Sequence, residues 1–339
     1  MYKHIASLLL LMVAIVWGWT FVVVKDAVDA QNLLGFLALR FTIAAIVMAP
    51  IVATRRLSWK TLRMGLLIGL ALGVSYLFQT WGLVYATASS AALITGLAVL
   101  FAPIVSRWVF GVSIRTCYWI ATVVALVGLA LLQFAGPTED GAAPAPNAAP
   151  SVAAVAAPDD SNDALDGTDN GDDSNTKAQP SAAAVWFGNF LTLLCALGFG
   201  LHIAMLDRYA VNHDALELTF WQIVTSAALF WMLWPIFNPP VYLPPWTVAA
   251  WWPILLTGVV ASALAFFIQT SAQQHISVER TAVIISMEPV FGALFGHLLH
   301  HDTMVPLQYV GAVLMIGTVL FVEVYAAWRT KQGEEEKEV

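Results

Sequence analysis

The stretch Met64-GLLIGLALGVSYLFQTWGLVYATASSAALITGLAVLFAPIV-Ser106 contains no Asp, Glu, Lys or Arg. A helix needs about 20 apolar residues to cross the hydrocarbon core of a bilayer, because each residue adds only about 1.5 Å. The stretch is therefore long enough for two crossings. The break between them, Ala86 to Ser90, is so short that the flanking helices must be antiparallel neighbours. Uncharged runs of the same kind extend from Ile5 to Val24, Thr116 to Thr138, Ala178 to Leu206 and Leu218 to Val278. Charged residues make up 11% of the chain and hydrophobic ones 59%, where a soluble domain carries roughly a quarter charged residues. Helices this long and apolar on all sides belong in lipid. The fold class is all-α integral membrane.

Cutting the chain at its polar and Pro/Gly breaks gives ten spans, at 5–24, 33–53, 64–85, 91–110, 117–135, 184–205, 216–237, 250–272, 281–300 and 306–327. The first could be mistaken for a secretory leader, since Lys3 and His4 precede it. It runs for about 20 residues into Lys25-Asp26 with no small-residue cleavage site, and is expected to be a permanent span. Lys and Arg are retained on the cytoplasmic side of a membrane. With the N-terminus inside, that side receives Lys3, Arg55, Arg56, Lys60, Arg63, Arg107, Arg115, Arg208, Arg280, Arg329, Lys331 and Lys337, and the outer side only Lys25 and Lys177. Both termini are thus expected in the cytoplasm, with the chain in the plasma (inner) membrane.

The net charge of −7 misleads about partners. Much of the acid lies in residues 137–182, an Ala/Pro-rich and then Asp/Asn/Ser/Gly-rich segment, and in a C-terminal tail, 329–339. The segment 137–182 has no helical or strand period and cannot bury enough apolar surface to order itself. It is expected to be a disordered extracytoplasmic tether. Cys117 and Cys195 stand among apolar residues and are expected to be core side chains, not a disulfide or metal pair.

The tether separates five spans from five. Phe78-Gln79-Thr80 matches Ile268-Gln269-Thr270, and Val127-Gly128-Leu129 matches Ile316-Gly317-Thr318 at nearly the same spacing. Between these, Phe101-Ala102-Pro103-Ile104 loosely matches Met287-Glu288-Pro289-Val290. Because each unit has an odd number of spans, the second must enter the membrane from the opposite side. The halves, 1–136 and 183–328, are then inverted repeats, an arrangement that recurs in secondary transporters with a substrate site near the midplane.

The chain resembles the EamA family of the drug/metabolite transporter superfamily. The likeness is carried by Trp17-Gly18-Trp19-Thr20-Phe21 running into Lys25 and by Ala38-Leu39-Arg40-Phe41. It continues through Ala91-Ala92-Leu93-Ile94-Thr95-Gly96-Leu97, Phe101-Ala102-Pro103-Ile104, Arg280-Thr281-Ala282 and Met287-Glu288-Pro289-Val290-Phe291. The resemblance implies a ten-helix exporter or importer of metabolites, amino acids or drugs. The chain departs from the family in its long acidic linker. It also has Gly111-Val112 and His301-Asp302 where the fourth and ninth spans often end in Gly-Glu.

An ionisable group at mid-membrane costs about 3 kcal/mol or more and asks for a reason. Arg40 has two readings: a contact to a substrate carboxylate or phosphate, or a structural bond to helix carbonyls or a glutamate. Glu288 precedes Pro289, whose missing N–H opens a helix. It is either a proton-coupling carboxylate or a structural partner of Arg40 or Lys25. Pro103 and Pro289 are the expected helix breaks and gates. Lys25 can snorkel to the headgroups or face a cavity. His202 is by default a neutral, bonded histidine, with proton coupling as its functional alternative. Trp17, Trp19, Trp81 and Trp221 lie away from the interfaces where tryptophan concentrates and either pack or line a cavity. Gln79 and Gln269 are placed to bond substrate or each other. Gly65, Gly69 and Gly73 form a stripe for close helix packing. His297, His300, His301 and Asp302 look like metal ligands but fall at a helix end, so no metal is expected.

No phosphate loop or hydrolase elbow occurs, so neither direct ATP drive nor enzymatic activity is expected. Nor are a cofactor or a nucleic-acid partner. The expected partners are lipid and a small-molecule substrate, with protons as the candidate driving ion and the chain as either a monomer or a homodimer. The reading is secondary transport; the alternatives are a membrane receptor or sensor using the acidic segment, or a membrane-embedded lipid-processing enzyme. Deleting 137–182 separates tether from sensor. Solute flux in proteoliposomes should survive the deletion, and its loss would assign the segment a working role.

Overall fold

In a computed structural model of the chain, residues 2–28, 33–85, 94–134, 182–237, 243–244, 247–300 and 304–332 are described. The tether up to residue 181, the Ala86–Ser90 connection, His301, Asp302 and the tail beyond residue 332 lie outside them. Among the described residues, eight helices are long and apolar enough to cross a membrane, and two shorter apolar helices, Ile94–Phe110 and Thr116–Leu132, complete the ten.

The helices are α1 (Tyr2–Val28), α2 (Leu33–Ala53), α3 (Trp59–Tyr85), α4 (Ala98–Phe110) and α5 (Thr116–Phe134) in the first half. The second half opens with α6 (Ala182–Tyr209) and α7 (Ala215–Phe237). The eighth span is α8 (Val248–Leu256) and α9 (Ala265–Gln273) joined by a π-helical turn, Thr257–Leu264. The ninth span is α10 (Val278–Ile285) and α11 (Glu288–His300), and the last is α12 (Pro306–Lys331). Large apolar side chains stay exposed along the outer faces, as on α12 at Val313, Leu320 and Val324. Lipid is the solvent that accepts such a surface.

The packing has the symmetry of two exchanged halves. α1 lies on α11 as α6 lies on α4; α1 lies on α9 as α6 lies on α3; α2 pairs with α7, and α5 with α12. The close approaches match too. A Cβ on Gly18 would lie 2.6 Å from that of Phe291, and one on Gly200 would lie 2.6 Å from that of Phe101. Phe101 and Phe291 stand at the same spacing as Gln79 and Gln269. The Gly65/Gly69/Gly73 stripe packs against α7, where Ser226 donates to the Gly69 carbonyl at 3.1 Å. Small residues let these backbones meet, which is how helices associate in lipid.

The two helix breaks expected at prolines fall differently. The ninth span is not one helix but turns at Ser286-Met287, with Pro289 in the first turn of α11. There the Ser286 hydroxyl donates to Val283 O at 2.7 Å. The fourth span turns at Leu97, and Pro103 sits inside the continuous helix α4. The break is therefore set by the repeat position, Leu97 against Ser286-Met287, and not by the proline at Pro103. In both places amides reach back three residues, Leu97 to Ile94 and Met287 to Ile284, each at 3.1 Å.

At one end of the bundle the halves are tied together. The Ser58 amide donates to Glu217 Oε1 at 2.8 Å, Arg55 pairs with Asp214 at 3.5 Å, and Thr61 Oγ1 and His213 Nδ1 are 3.0 Å apart. Within the second half, Gln274 donates to the carbonyls of Ala210 and His213 at 2.9 and 3.0 Å and steadies the loop that carries His213. Burial pushes His213 below the usual histidine range; Glu217 opposes this and Lys60 adds to it. Its ring is thus neutral at neutral pH, suited to a hydroxyl partner.

Candidate functional site

Arg40 enters the protein interior from α2 and keeps only 5% of its surface exposed. A guanidinium carries five N–H donors and must have its charge answered locally. Its Nε donates to Ser262 Oγ at 2.7 Å and a terminal nitrogen to Ala261 O at 3.4 Å, both in the π-helical turn. The rings of Phe41 and Tyr76 lie 5.7 and 5.6 Å from the guanidinium carbon, within cation–π range. Of the two sequence readings, the bond to helix carbonyls is therefore present.

Glu288 begins α11 just after the break, and Arg40 is the charged group whose field reaches it. The Glu288 carbonyl faces α1, 2.8 Å from where a Cβ on Gly18 would stand. Glu288, Tyr76, Trp17 and Phe199 are only half-buried although they sit among helices of both halves. Around them runs a chain of rings: Phe199 to Tyr76 at 5.3 Å, Tyr76 to Phe41 at 5.4 Å, and Phe266 to Trp17 at 5.4 Å. Edge-to-face and tilted contacts of this kind suit aromatic quadrupoles. The pairs Tyr76–Phe199 and Phe266–Trp17 occupy matching places in the two repeats.

The other sequence candidates fall in different places. His202 is 1% exposed, and its Nε2 lies 2.9 Å from Gln222 Oε1. Gln269 donates to Gln273 of its own helix at 3.3 Å, and its carbonyl oxygen has no protein partner. Gln79 is half-buried on α3. Trp17 donates its indole N–H to Ala261 O at 2.9 Å, whereas Trp19 lies near the opposite face of α1. Lys25 is in the last turns of α1, and nothing further is described of its side chain. Pro103 is buried in α4 and Pro289 half-buried beside Glu288. Among the described residues no group of His, Cys, Asp and Glu is placed to hold a metal. An open hollow of about 300 Å³ at Arg107, Trp108, Gly111, Val112 and Ser113 lies at the C-terminal end of α4 and includes none of the sequence candidates.

Several residues of the cluster were not singled out in the sequence. Tyr76 and Phe266 stand three residues before Gln79 and Gln269, so the repeat itself carried a signal for them. Ser262 lies in a run of small apolar residues that gives no sign of a π-helix. A buried ion pair was also missed: Arg280 Nε and a terminal nitrogen donate to Glu323 Oε1 and Oε2 at 2.7 and 2.6 Å. In the sequence Glu323 looks like part of the charged tail, and Arg280 like a surface cation, yet Arg280 is 1% exposed.

These features define a polytopic, two-repeat, all-α membrane transporter. The EamA-like transporter family matches residues 4–134 and 186–324, and the chain belongs to it. An uncharacterized transporter of Archaeoglobus fulgidus is 30% identical over 94% of this chain and 85% of its own length. The uncharacterized transporter YoaV of Bacillus subtilis is 22% identical over 38% of this chain and 44% of its own. One solved crystal structure superposes with a TM-score of 0.70 over 95% of this chain and 97% of its own, at 18% identity, which speaks to the fold alone.

Glu323→Ala would take the carboxylate from a buried guanidinium; breaking a fully buried pair costs about 3–5 kcal/mol, and this one, with Glu323 24% exposed, should cost somewhat less. The melting temperature of the purified protein should fall sharply. Arg280→Met with Glu323→Leu together should recover most of the loss, since neither charge of this pair then remains.

Proposed function

We propose that the chain is a secondary transporter that moves small metabolites, amino acids or drug-like solutes out across the plasma membrane by alternating access between its inverted halves. The observation that carries this reading is the Arg40–Tyr76–Glu288 cluster, a charged and aromatic group set among half-buried residues between the two repeats. Arg40 would take an anionic group of the solute, and the rings of Trp17, Tyr76 and Phe199 its apolar body. The helix breaks beside Ala98 and Glu288 would allow α4 and α11 to tilt. Five-helix units at 1–136 and 183–328, an extracytoplasmic tether at 137–182 and a cytoplasmic tail at 329–339 complete the proposal. Transport, not catalysis, is its activity.

Proton coupling would run through Glu288, the carboxylate of the cluster, since His202 is engaged by Gln222. The test is flux into proteoliposomes for a panel of radiolabelled amino acids, aliphatic and aromatic carboxylates and hydrophobic cations, with and without a pH gradient. At least one class should move, and an inert panel would contradict the transporter reading. Glu288→Gln should abolish gradient-driven accumulation while leaving exchange down a concentration gradient. Accumulation that persists in this variant would rule out an essential protonation there.

A further inference from the structure

The π-helical turn in the eighth span has no proline within it; Pro253 lies a turn earlier, where the Thr257 hydroxyl donates to its carbonyl at 2.7 Å. What distinguishes the turn is what it releases. In an α-helix the amide of Ala265 would bond to the carbonyl of Ala261. Here that amide goes to Val260 O and Ser262 O, and the Ala261 carbonyl is taken instead by two side chains from the first half, Trp17 and Arg40. The same turn presents the Ser262 hydroxyl to Arg40 Nε. A Cβ on Gly258 would lie 2.9 Å from the Arg40 carbonyl and 3.0 Å from Ile43, so α2 rides directly on the turn.

The matching place in the first half carries none of this. At the spacing of Gln79 and Gln269, Ala261 and Ser262 correspond to Ala71 and Leu72 of α3, which is α-helical throughout. The Ala71 carbonyl takes the hydroxyl of Ser75 from its own helix at 2.6 Å. At the spacing of Gly18 and Gly200, Arg40 corresponds to Gln222, a neutral residue. The irregular turn therefore occurs only in the repeat that faces the arginine. Wide turns within α-helices occur mostly at functional sites.

We infer that the turn Thr257–Leu264 is a positioning element, and Ser262 a positioning residue, that fix the guanidinium of Arg40 and the indole of Trp17 in the substrate site. The inference rests on the transporter reading above. Ser262 and the freed Ala261 carbonyl take up one side of the guanidinium. They hold the arginine in one orientation beside Tyr76 with its remaining donors turned to solute. Without them a long, flexible side chain would have to be ordered by the solute itself, at a cost to affinity.

The test uses the full chain in lipid nanodiscs with arginine labelled at ¹⁵Nε. The Arg40 resonance is identified by its loss in Arg40→Lys. In the wild-type protein its N–H should exchange slowly with water. Ser262→Ala should speed exchange about tenfold, as for loss of one good hydrogen bond, and Ser262→Thr, which keeps the hydroxyl, should restore it. Melting temperatures within a few degrees of wild type would show that the variants fold, and Trp17→Phe gives a second disturbance of the same carbonyl. In the flux panel, Ser262→Ala should raise KM for the anionic solutes about fivefold with Vmax within about twofold. An Arg40 resonance unchanged in Ser262→Ala would overturn the inference and leave the transporter reading intact. A shifted resonance with unchanged KM would overturn the positioning role. If Arg40→Lys itself leaves KM at the wild-type value, the substrate site is elsewhere and the positioning role falls, while transport itself stands.

Discussion

No water reaches the hydrocarbon core of a bilayer to satisfy a polar atom, so each one placed there must find its partner inside the protein. Arg40 is where this constraint acts most strongly in the chain. Its side chain is nearly all buried, and it is held by a serine hydroxyl, a backbone carbonyl and two aromatic faces. None of those partners is in its own repeat unit's neighbouring turn except Phe41. The eighth span gives up regular helix geometry to supply two of them, and the first span sends Trp17 to the same carbonyl. Three helices thus owe part of their relative placement to one cation.

The scaffold is nearly symmetric and its chemistry is not. Gly18 against Phe291 repeats as Gly200 against Phe101, and Trp17 against Phe266 repeats as Phe199 against Tyr76. Yet Arg40 is answered by Gln222, Glu288 by Ala98, and the π-helical turn by plain α-helix. On the transporter reading proposed above, symmetry of packing would supply two arrangements of similar energy related by exchange of the halves, the basis for alternating access. Asymmetry of charge places the proposed solute-facing groups at a single site instead of two.

The ten spans were legible because lipid thickness and the absence of charge constrain a long apolar run in one way only. The equivalence of Phe101 and Phe291 lies in the repeat spacing, whereas their approach to Gly200 and Gly18 emerges only when the helices are assembled. What escaped was of two kinds. The π-helical turn arises from a cross-helix competition for the Ala261 carbonyl, and a local run such as Thr257–Leu264 holds no record of its distant partners. Pro103 misled for the opposite reason: a proline weakens a helix but does not by itself break one held by neighbours, and the turn came at Leu97 instead. Arg280 and Glu323 lie 43 residues apart, and neither looks buried until the helices are assembled.

Exchange of the two halves is the central claim, and it has a direct signature. Spin labels at Arg56 and His275 report one end of the bundle, where the halves are tied through Glu217 and Asp214, and labels at Tyr85 and Val248 report the other. With Cys117 and Cys195 replaced, pulsed electron resonance should give two distances for each pair. Acidification should move the two populations in opposite directions, one end opening as the other closes. A single distance at both ends, or a shift of both ends in the same sense, would contradict alternating access between inverted halves.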